Sequence, residues 1–375
     1  MIGRRGIALI LGTLIAMAAL LSACGDDATS TATQQPAASP VATATATTAP
    51  TATATATATA APTATPTPQP SPFAGVPGIV NPNNRGWPRQ VEVLNGIFEI
   101  RAKPARIVTV SIGHDEITYA LVPATRVVGV GGVSKDTTYS NVAEIAKAAP
   151  SISTEPETIL SVKPDIMVTS AFFNKEKVAA LERAGLQVLV TDLSGDPAGR
   201  RNTILLMGYI YGEEERAIAF AKEIDDRHKA LQSVVGNKPS KPKVLAVASY
   251  GDQIYTAGLK STEGGIIEAA GGINAAAEAK LEFNPVISAE SIISMSPEVI
   301  IITQPNDSGD PFKDQLMKNA ALAQVPAIKN NKIYVVDPKL YTTLSHWNLR
   351  GAEDLAKILW PQDFANKQFG GFSSP

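Results

Sequence analysis

Three histidines, one cysteine and a pair of matching glutamates carry most of the chemistry open to this 375-residue chain. His114 is followed by Asp115 and Glu116, a grouping that would suit a metal site or a general base, and Ser345 stands beside His346. Neither Ser111 nor Ser345 sits in a nucleophile elbow, and the histidines have no His-x-His or His-Glu-x-x-His spacing. A metal-dependent hydrolase is therefore the reading with least support, and no enzyme is expected. Cys24 is the only cysteine, which excludes an internal disulfide and a cysteine-based metal cluster.

Glu157 and Glu290 differ from these because each opens a segment that occurs twice. Residues 157–170 read ETILSVKPDIMVTS and residues 290–303 read ESIISMSPEVIIIT. The copies lie roughly 130 positions apart, far beyond the ~20–50-residue period of a solenoid, so they imply two similar lobes. Each copy predicts a short helix, a Pro-Asp or Pro-Glu turn, and a β-branched apolar strand of the kind covered on both faces of a parallel sheet. Arg106-Ile107-Val108-Thr109-Val110-Ser111 and Lys243-Val244-Leu245-Ala246-Val247-Ala248 echo one another as the first strand of each lobe. Two related α/β lobes imply a ligand cleft between them.

The elements that would position these groups follow in order. Arg4 and Arg5, an apolar run from Ile7 to Leu21 and the small residues before Cys24 form a secretory leader over residues 1–23, too short an apolar run to span a membrane. Residues 24–72 then form a Thr/Ala/Pro-rich tether, whose small side chains bury too little apolar surface to offset ordering entropy. Residues 73–103 contain an extension and a hairpin signalled by alternation around Asn95-Gly96. Residues 104–211 form the first lobe, with a strand at 127–130 and a turn at 129–132. Residues 212–238 form one long helix with Ala217, Ala221, Ile224, Leu231 and Val235 on one stripe, long enough to bridge two lobes. Residues 239–375 form the second lobe, closing with a strand at 332–336 and a helix at about 348–359. A formal net charge of −2 argues against a nucleic-acid partner.

In this order the segments resemble the substrate-binding proteins of ABC transporters that carry ferric siderophores, cobalamin and haem. The resemblance spans about residues 87–364. It rests on Pro104-Ala105-Arg106-Ile107-Val108-Thr109, Asp115-Glu116-Ile117-Thr118-Tyr119-Ala120-Leu121, Arg126-Val127-Val128-Gly129-Val130 and the Glu157 segment. In the second lobe it rests on residues 264–272 and 287–292. It implies two α/β lobes on one rigid helix, a ligand held between them, and docking of Glu157 and Glu290 on arginines of a permease dimer that works with an ATPase. Leu21-Ser22-Ala23-Cys24 resembles the lipobox of bacterial lipoproteins, which implies lipidation of Cys24 and anchoring to the outer face of the cell membrane. The expected protein is a monomer with no intrinsic cofactor, and its cargo is a metal chelate: a ferric siderophore, cobalamin or haem. A surface lipoprotein with a structural or scavenging role and no transporter is the alternative.

Loops after strands, where two such lobes face each other, supply the candidate ligand contacts. These are Ser111, His114, Tyr139, Phe172, Phe173, Tyr250, Tyr255, Tyr341, His346 and Trp347. The aromatic rings favour a large, flat or apolar-faced ligand, and the scarcity of arginine in these loops disfavours a catecholate complex. His114 and His346, one from each lobe, are candidate axial ligands for iron or cobalt within the cargo. Glu157 and Glu290 also suit the first turn of a helix, where an acid opposes the dipole. Replacing Cys24 by alanine is expected to move the protein from the membrane fraction to the medium or the soluble envelope fraction. Fractionation on a blot, with mass analysis of the N-terminal peptide, tests this.

Overall fold

A computed structural model describes residues 71–193 and 197–373. The leader, Cys24 and all of the tether before residue 71 lie outside the described residues. At the start of the described residues the Ser71 hydroxyl donates to the Pro82 carbonyl at 2.6 Å, and Phe73 is fully buried.

The hairpin is β1 (Arg89–Val93) and β2 (Gly96–Ile100), with Val93 paired to Gly96, so its two-residue loop is Leu94-Asn95 and not Asn95-Gly96. The shift has a use. Asn95 accepts from the Val190 N–H at 2.9 Å and donates to the Val188 carbonyl at 2.8 Å, occupying an otherwise unpaired sheet edge.

That edge belongs to the first lobe. β3 (Ile107–Val108), β4 (Val127–Gly131), β5 (Ser151–Ile152), β6 (Ile166–Ser170) and β7 (Gln187–Thr191) form a parallel sheet in the order β5-β4-β3-β6-β7. Gly129, expected in a turn, lies inside β4. A Cβ there would stand 2.9 Å from Ile152 Cδ1, so the glycine lets β4 and β5 close up. The second lobe contains β8 (Lys243–Tyr250), β9 (Gln253–Thr256), β10 (Ile273–Asn274), β11 (Val286–Ile287), β12 (Val299–Ile302) and β13 (Ile333–Val335). Its order is β11-β9-β8-β12-β13, with β10 paired in parallel to the start of β8 and β9 antiparallel to its end.

The repeated segments form the same elements with the same anchoring contacts. Helix Pro156–Ser161 leads into β6, and helix Ala289–Met295 leads into β12. Each helix is followed by a left-handed residue just before the proline, Lys163 at φ 48° and Ser296 at φ 47°. The acid after each proline then receives the first strand of its lobe. Asp165 Oδ2 accepts the N–H groups of Ala105 and Arg106 at 2.8 and 2.9 Å, and Glu298 Oε2 accepts the Lys243 N–H at 3.0 Å. The backbone N–H groups of Asp165 and Glu298 return the contact to the Arg106 and Lys243 carbonyls, each at 2.8 Å.

Strand residues alternate between two cores. Leu245, Val247, Ile300 and Ile302 face a core of the second lobe alone, and Val108, Met167 and Val188 face one of the first lobe. Their neighbours Ile107, Ile166, Leu189, Val244, Ala246 and Ile301 face a single central core that continues from lobe to lobe. Helix Glu214–Val235 runs through it, burying the expected stripe and also Phe220. A helix that was not anticipated, Pro197–Tyr211, packs on this linking helix. At Gly208 a Cβ would meet that of Ala217 at 2.1 Å, so only glycine permits the approach. The acids that open the linking helix also tie it to its surroundings: Glu213 pairs with Lys103 and Arg126, and Glu214 with the buried Arg89.

Replacing Asp165 or Glu298 by alanine is expected to cost about 1–2 kcal/mol each, since each removes hydrogen bonds to a charged acceptor. Urea unfolding should show a lower midpoint with an unchanged slope. An unchanged midpoint in both variants would separate the repeat from strand anchoring.

Candidate functional site

The lobes enclose two cavities at the carboxyl ends of their strands. The first-lobe cavity, about 470 Å³, is lined by Ser111, Thr154, Thr169, Ser170, Phe172, Phe173 and Asn174 together with Thr342 and Leu344. The second-lobe cavity, about 260 Å³, is lined by Tyr250, Tyr255, Thr256, Glu263, Asn284 and Thr303, again with Thr342. Thr342 is thus common to both halves of one cleft. Val110, two residues after β3, holds a left-handed φ of 45° at its wall, an outlier for a β-branched side chain that the surrounding packing must maintain.

Several expected contact residues reach this cleft. Ser111 and Phe173 line the first half, and Phe172 projects into solvent at its mouth with 88% of its surface exposed. Tyr250 and Tyr255 line the second half with ring centroids 5.6 Å apart in an edge-on pair. Tyr139 is exposed and lines neither cavity, although after burial its phenol contributes to raising the pKa of Tyr250.

Four expected contacts are corrected. His114 is fully buried, with Nδ1 3.1 Å from Ser111 Oγ and Nε2 2.7 Å from Thr191 Oγ1. Both its ring nitrogens are engaged inside the first lobe, which removes it as an axial ligand. His346 is buried among Phe220, Phe372 and Trp347, at centroid distances of 4.8, 4.9 and 5.7 Å. Tyr341 is also buried, its hydroxyl 3.2 Å from Asp354 Oδ2. Trp347 lines a different depression together with Phe369 and Arg350. The segment after β13 alternates: Tyr341, Thr343 and Ser345 turn inward, while Thr342 and Leu344 face the cleft. Position after a strand was a sound guide to the loop but not to which side chains it presents. Among the described residues no three His, Cys, Asp or Glu side chains converge as a metal site.

The acids after His114 serve the structure. Asp115 is buried against Thr109 and Ser134, and burial raises its pKa to about 8. Glu116, also buried, joins the lobes. Its Oε1 accepts the Asn141 N–H at 2.9 Å and Asn141 Nδ2 at 2.8 Å, and its Oε2 accepts the hydroxyls of Thr343 at 2.7 Å and of Ser345. Asn141 Nδ2 also reaches the Lys339 carbonyl at 2.8 Å. Burial raises the Glu116 pKa against the effect of these bonds. Sequence reading missed this contact, because its partners lie more than two hundred positions apart in the chain.

Glu157 and Glu290 are both exposed in the first turns of their equivalent helices. Hydrogen bonding to Ser288 and to its own backbone lowers the Glu290 pKa. A crossover helix runs antiparallel to its strands, so both helix starts stand at the carboxyl edges of the sheets, the rim on which the cleft opens.

The family model for periplasmic binding proteins matches residues 107–340. The chain belongs to this family. An uncharacterized ABC transporter substrate-binding lipoprotein of Bacillus subtilis is 26% identical over 271 residues, covering 71% of this chain and 83% of the relative. A cobalamin-binding protein of Halobacterium salinarum is 24% identical over 256 residues, covering 68% and 67% of the respective chains. Among solved structures, the apo form of the periplasmic haem-binding protein RhuT from Roseiflexus aligns with a TM-score of 0.59 at 25% identity, covering 68% of this chain and 98% of that one. The two α/β lobes, the linking helix and the cleft between them are those of a family member. Among the described residues no helix is long and apolar enough to cross a membrane.

The buried histidines set a pH dependence. Burial lowers the pKa of His114 and of His346 to about 3, assisted at His346 by the charges of Arg200, Arg227 and Arg216. Between pH 6.5 and about 3 the unfolded chain binds protons that the folded histidines refuse, so acidification destabilises the fold. Asp115 acts in the opposite sense: between the usual carboxylate range and about 8 the folded chain keeps a proton that the unfolded chain has lost, so its contribution fades as pH rises. Replacing His346 by phenylalanine leaves the Asp115 contribution in place and removes one proton of linkage. Thermal unfolding between pH 4 and 6.5 should then show the variant losing stability less steeply than the parent, by about 1.4 kcal/mol per pH unit.

Proposed function

We propose that this chain is the extracytoplasmic capture component of an ABC importer, binding an iron complex, corrinoid or tetrapyrrole between its lobes and delivering it to a permease dimer coupled to an ATPase. The observation that carries the proposal is the pairing of exposed acids, Glu157 and Glu290, at equivalent helix starts on the two lobes beside the cleft mouth. Helix capping accounts for an acid at either place, worth about 0.3–1 kcal/mol. It gives no reason for both copies to leave that acid exposed on the cleft rim. Docking on basic residues of a two-fold permease does, because each subunit then receives one lobe.

The names of the relatives support the ligand class: one is a substrate-binding lipoprotein, one binds cobalamin and one binds haem. Ser111, Phe172, Phe173, Tyr250 and Tyr255 suit the rim and faces of a chelate by dispersion and ring contact. The metal belongs to the cargo and reaches the protein already coordinated, so His114 and His346 are not required to bind it. Lipidation at Cys24 would keep the binding lobes near the permease while the tether gives them reach. A purely structural surface protein would need neither the cleft nor the paired acids.

Neutralising both acids, Glu157→Gln with Glu290→Gln, is expected to abolish uptake of the chelate by cells and to leave its affinity for the isolated protein within about threefold. Uptake at the parent rate, or a large loss of affinity in the folded double variant, would remove the docking role.

A further inference from the structure

The two halves of the cleft have an unusual charge inventory. Among the described residues that line them there is no lysine, arginine or histidine, and Glu263 is the only carboxylate. It stands in the first turn of helix Thr262–Ala269, capped by Ser261, on the second-lobe wall with Tyr250, Tyr255, Thr256 and Asn284. Among the described residues it forms no ion pair. The nearby cation, Lys260, is engaged with Glu282 at 3.1 Å and lies over the Phe283 ring. An acid that served only the helix dipole would be better placed in water, where its charge is solvated. This one is half-buried in the cavity wall, where partial desolvation raises its pKa against hydrogen bonds from the Asn284 side chain and its own backbone N–H.

We propose that Glu263 sets the charge selectivity of the cleft, admitting a chelate that is neutral or cationic and presents N–H donors while excluding polyanionic complexes. This rests on the capture of a metal chelate argued above and narrows it. A half-buried carboxylate in a cleft wall without a protein cation is satisfied by amide or ammonium groups on the ligand rim. A ligand carrying several carboxylates or catecholate oxygens would meet this acid with no positive side chain to offset its charge. The hydroxyls of Ser111, Thr154, Ser170, Thr303 and Thr342 can serve either ligand type and do not reverse the preference.

Four probes test the assignment on the full chain in detergent, with binding followed by tryptophan fluorescence and calorimetry. Cyanocobalamin presents peripheral amides, ferric desferrioxamine B an ammonium tail, haemin two propionates, and ferric enterobactin a triple negative charge. The parent protein is expected to bind one of the first two at least ~100-fold more tightly than either of the last two. Glu263→Arg should shrink that ratio by about tenfold or more while the melting curve stays cooperative. Glu263→Gln distinguishes the two donor sources. It keeps an acceptor, so cyanocobalamin affinity should change by less than about threefold, whereas an ammonium partner should lose about tenfold. Preference of the parent for haemin or ferric enterobactin would overturn the assignment, as would an unchanged ranking in the folded Glu263→Arg variant. Binding of none of the four would overturn the capture of a metal chelate itself and this inference with it.

Discussion

One apolar core, continuous from the first sheet to the second, is the constraint on which the rest of the molecule depends. A cleft between two lobes needs walls with a defined separation. Here the separation is set by helix Glu214–Val235, whose buried stripe belongs to the same core as Ile107 and Ile166 on one side and Val244 and Ile301 on the other. Moving one lobe against the other would open this core to water, at about 25 cal/mol per Å² exposed. The polar contacts reinforce the same separation. Arg216 donates to the Ala120 carbonyl of the first lobe, and Arg227 forms a two-pronged pair with Glu353 of the second. Arg227 also binds the carbonyls of Gly370 and Gly371 in the C-terminal strap, whose Phe372 packs on Phe220 and His346. Glu116 adds a buried polar tie from the first lobe to Thr343 and Ser345 of the second.

Rigidity of this kind changes how selectivity is achieved. A binding protein with flexible hinges can wrap ligands of different sizes, while one with a fused core presents a preformed gap and selects by what lines it. The lining is poor in charge, rich in hydroxyls and furnished with aromatic rings, and a single carboxylate becomes influential in such a setting. The buried ionisable groups Asp115, Glu116, Arg89 and Glu353 have partners fixed by the fold. They support the walls and do not compete for ligand.

What could be read from the chain before its structure was known follows the range of the forces involved. The internal repeat is local, and its helix, left-handed residue, proline and strand recur in both lobes with acids at equivalent positions. The stripe of the linking helix is local too, and every member of it is buried. The exposure of side chains in the loop after β13 is not local. Tyr341, His346 and Trp347 looked like cleft residues because aromatic and imidazole groups follow a strand there, but the first-lobe partners of Thr343 and Ser345 and the aromatic packing around His346 decide which way the chain faces. Glu263 escaped notice for a related reason: in sequence it is an ordinary first-turn acid after a serine cap.

The alternation from Tyr341 to Ser345 separates two kinds of selection pressure within five neighbouring positions. Tyr341, Thr343 and Ser345 answer to the integrity of the fold, since each is buried and bonded to a partner elsewhere. Thr342 and Leu344 present surface to the cleft as well, although the Thr342 hydroxyl also donates to the Pro338 carbonyl at 2.8 Å and Leu344 packs partly on the central core. A lineage can therefore retune its cargo at these two positions at less cost to the scaffold than at their three inward-facing neighbours. Descendants of one stable binding protein could in this way diverge in diet without first rebuilding their architecture.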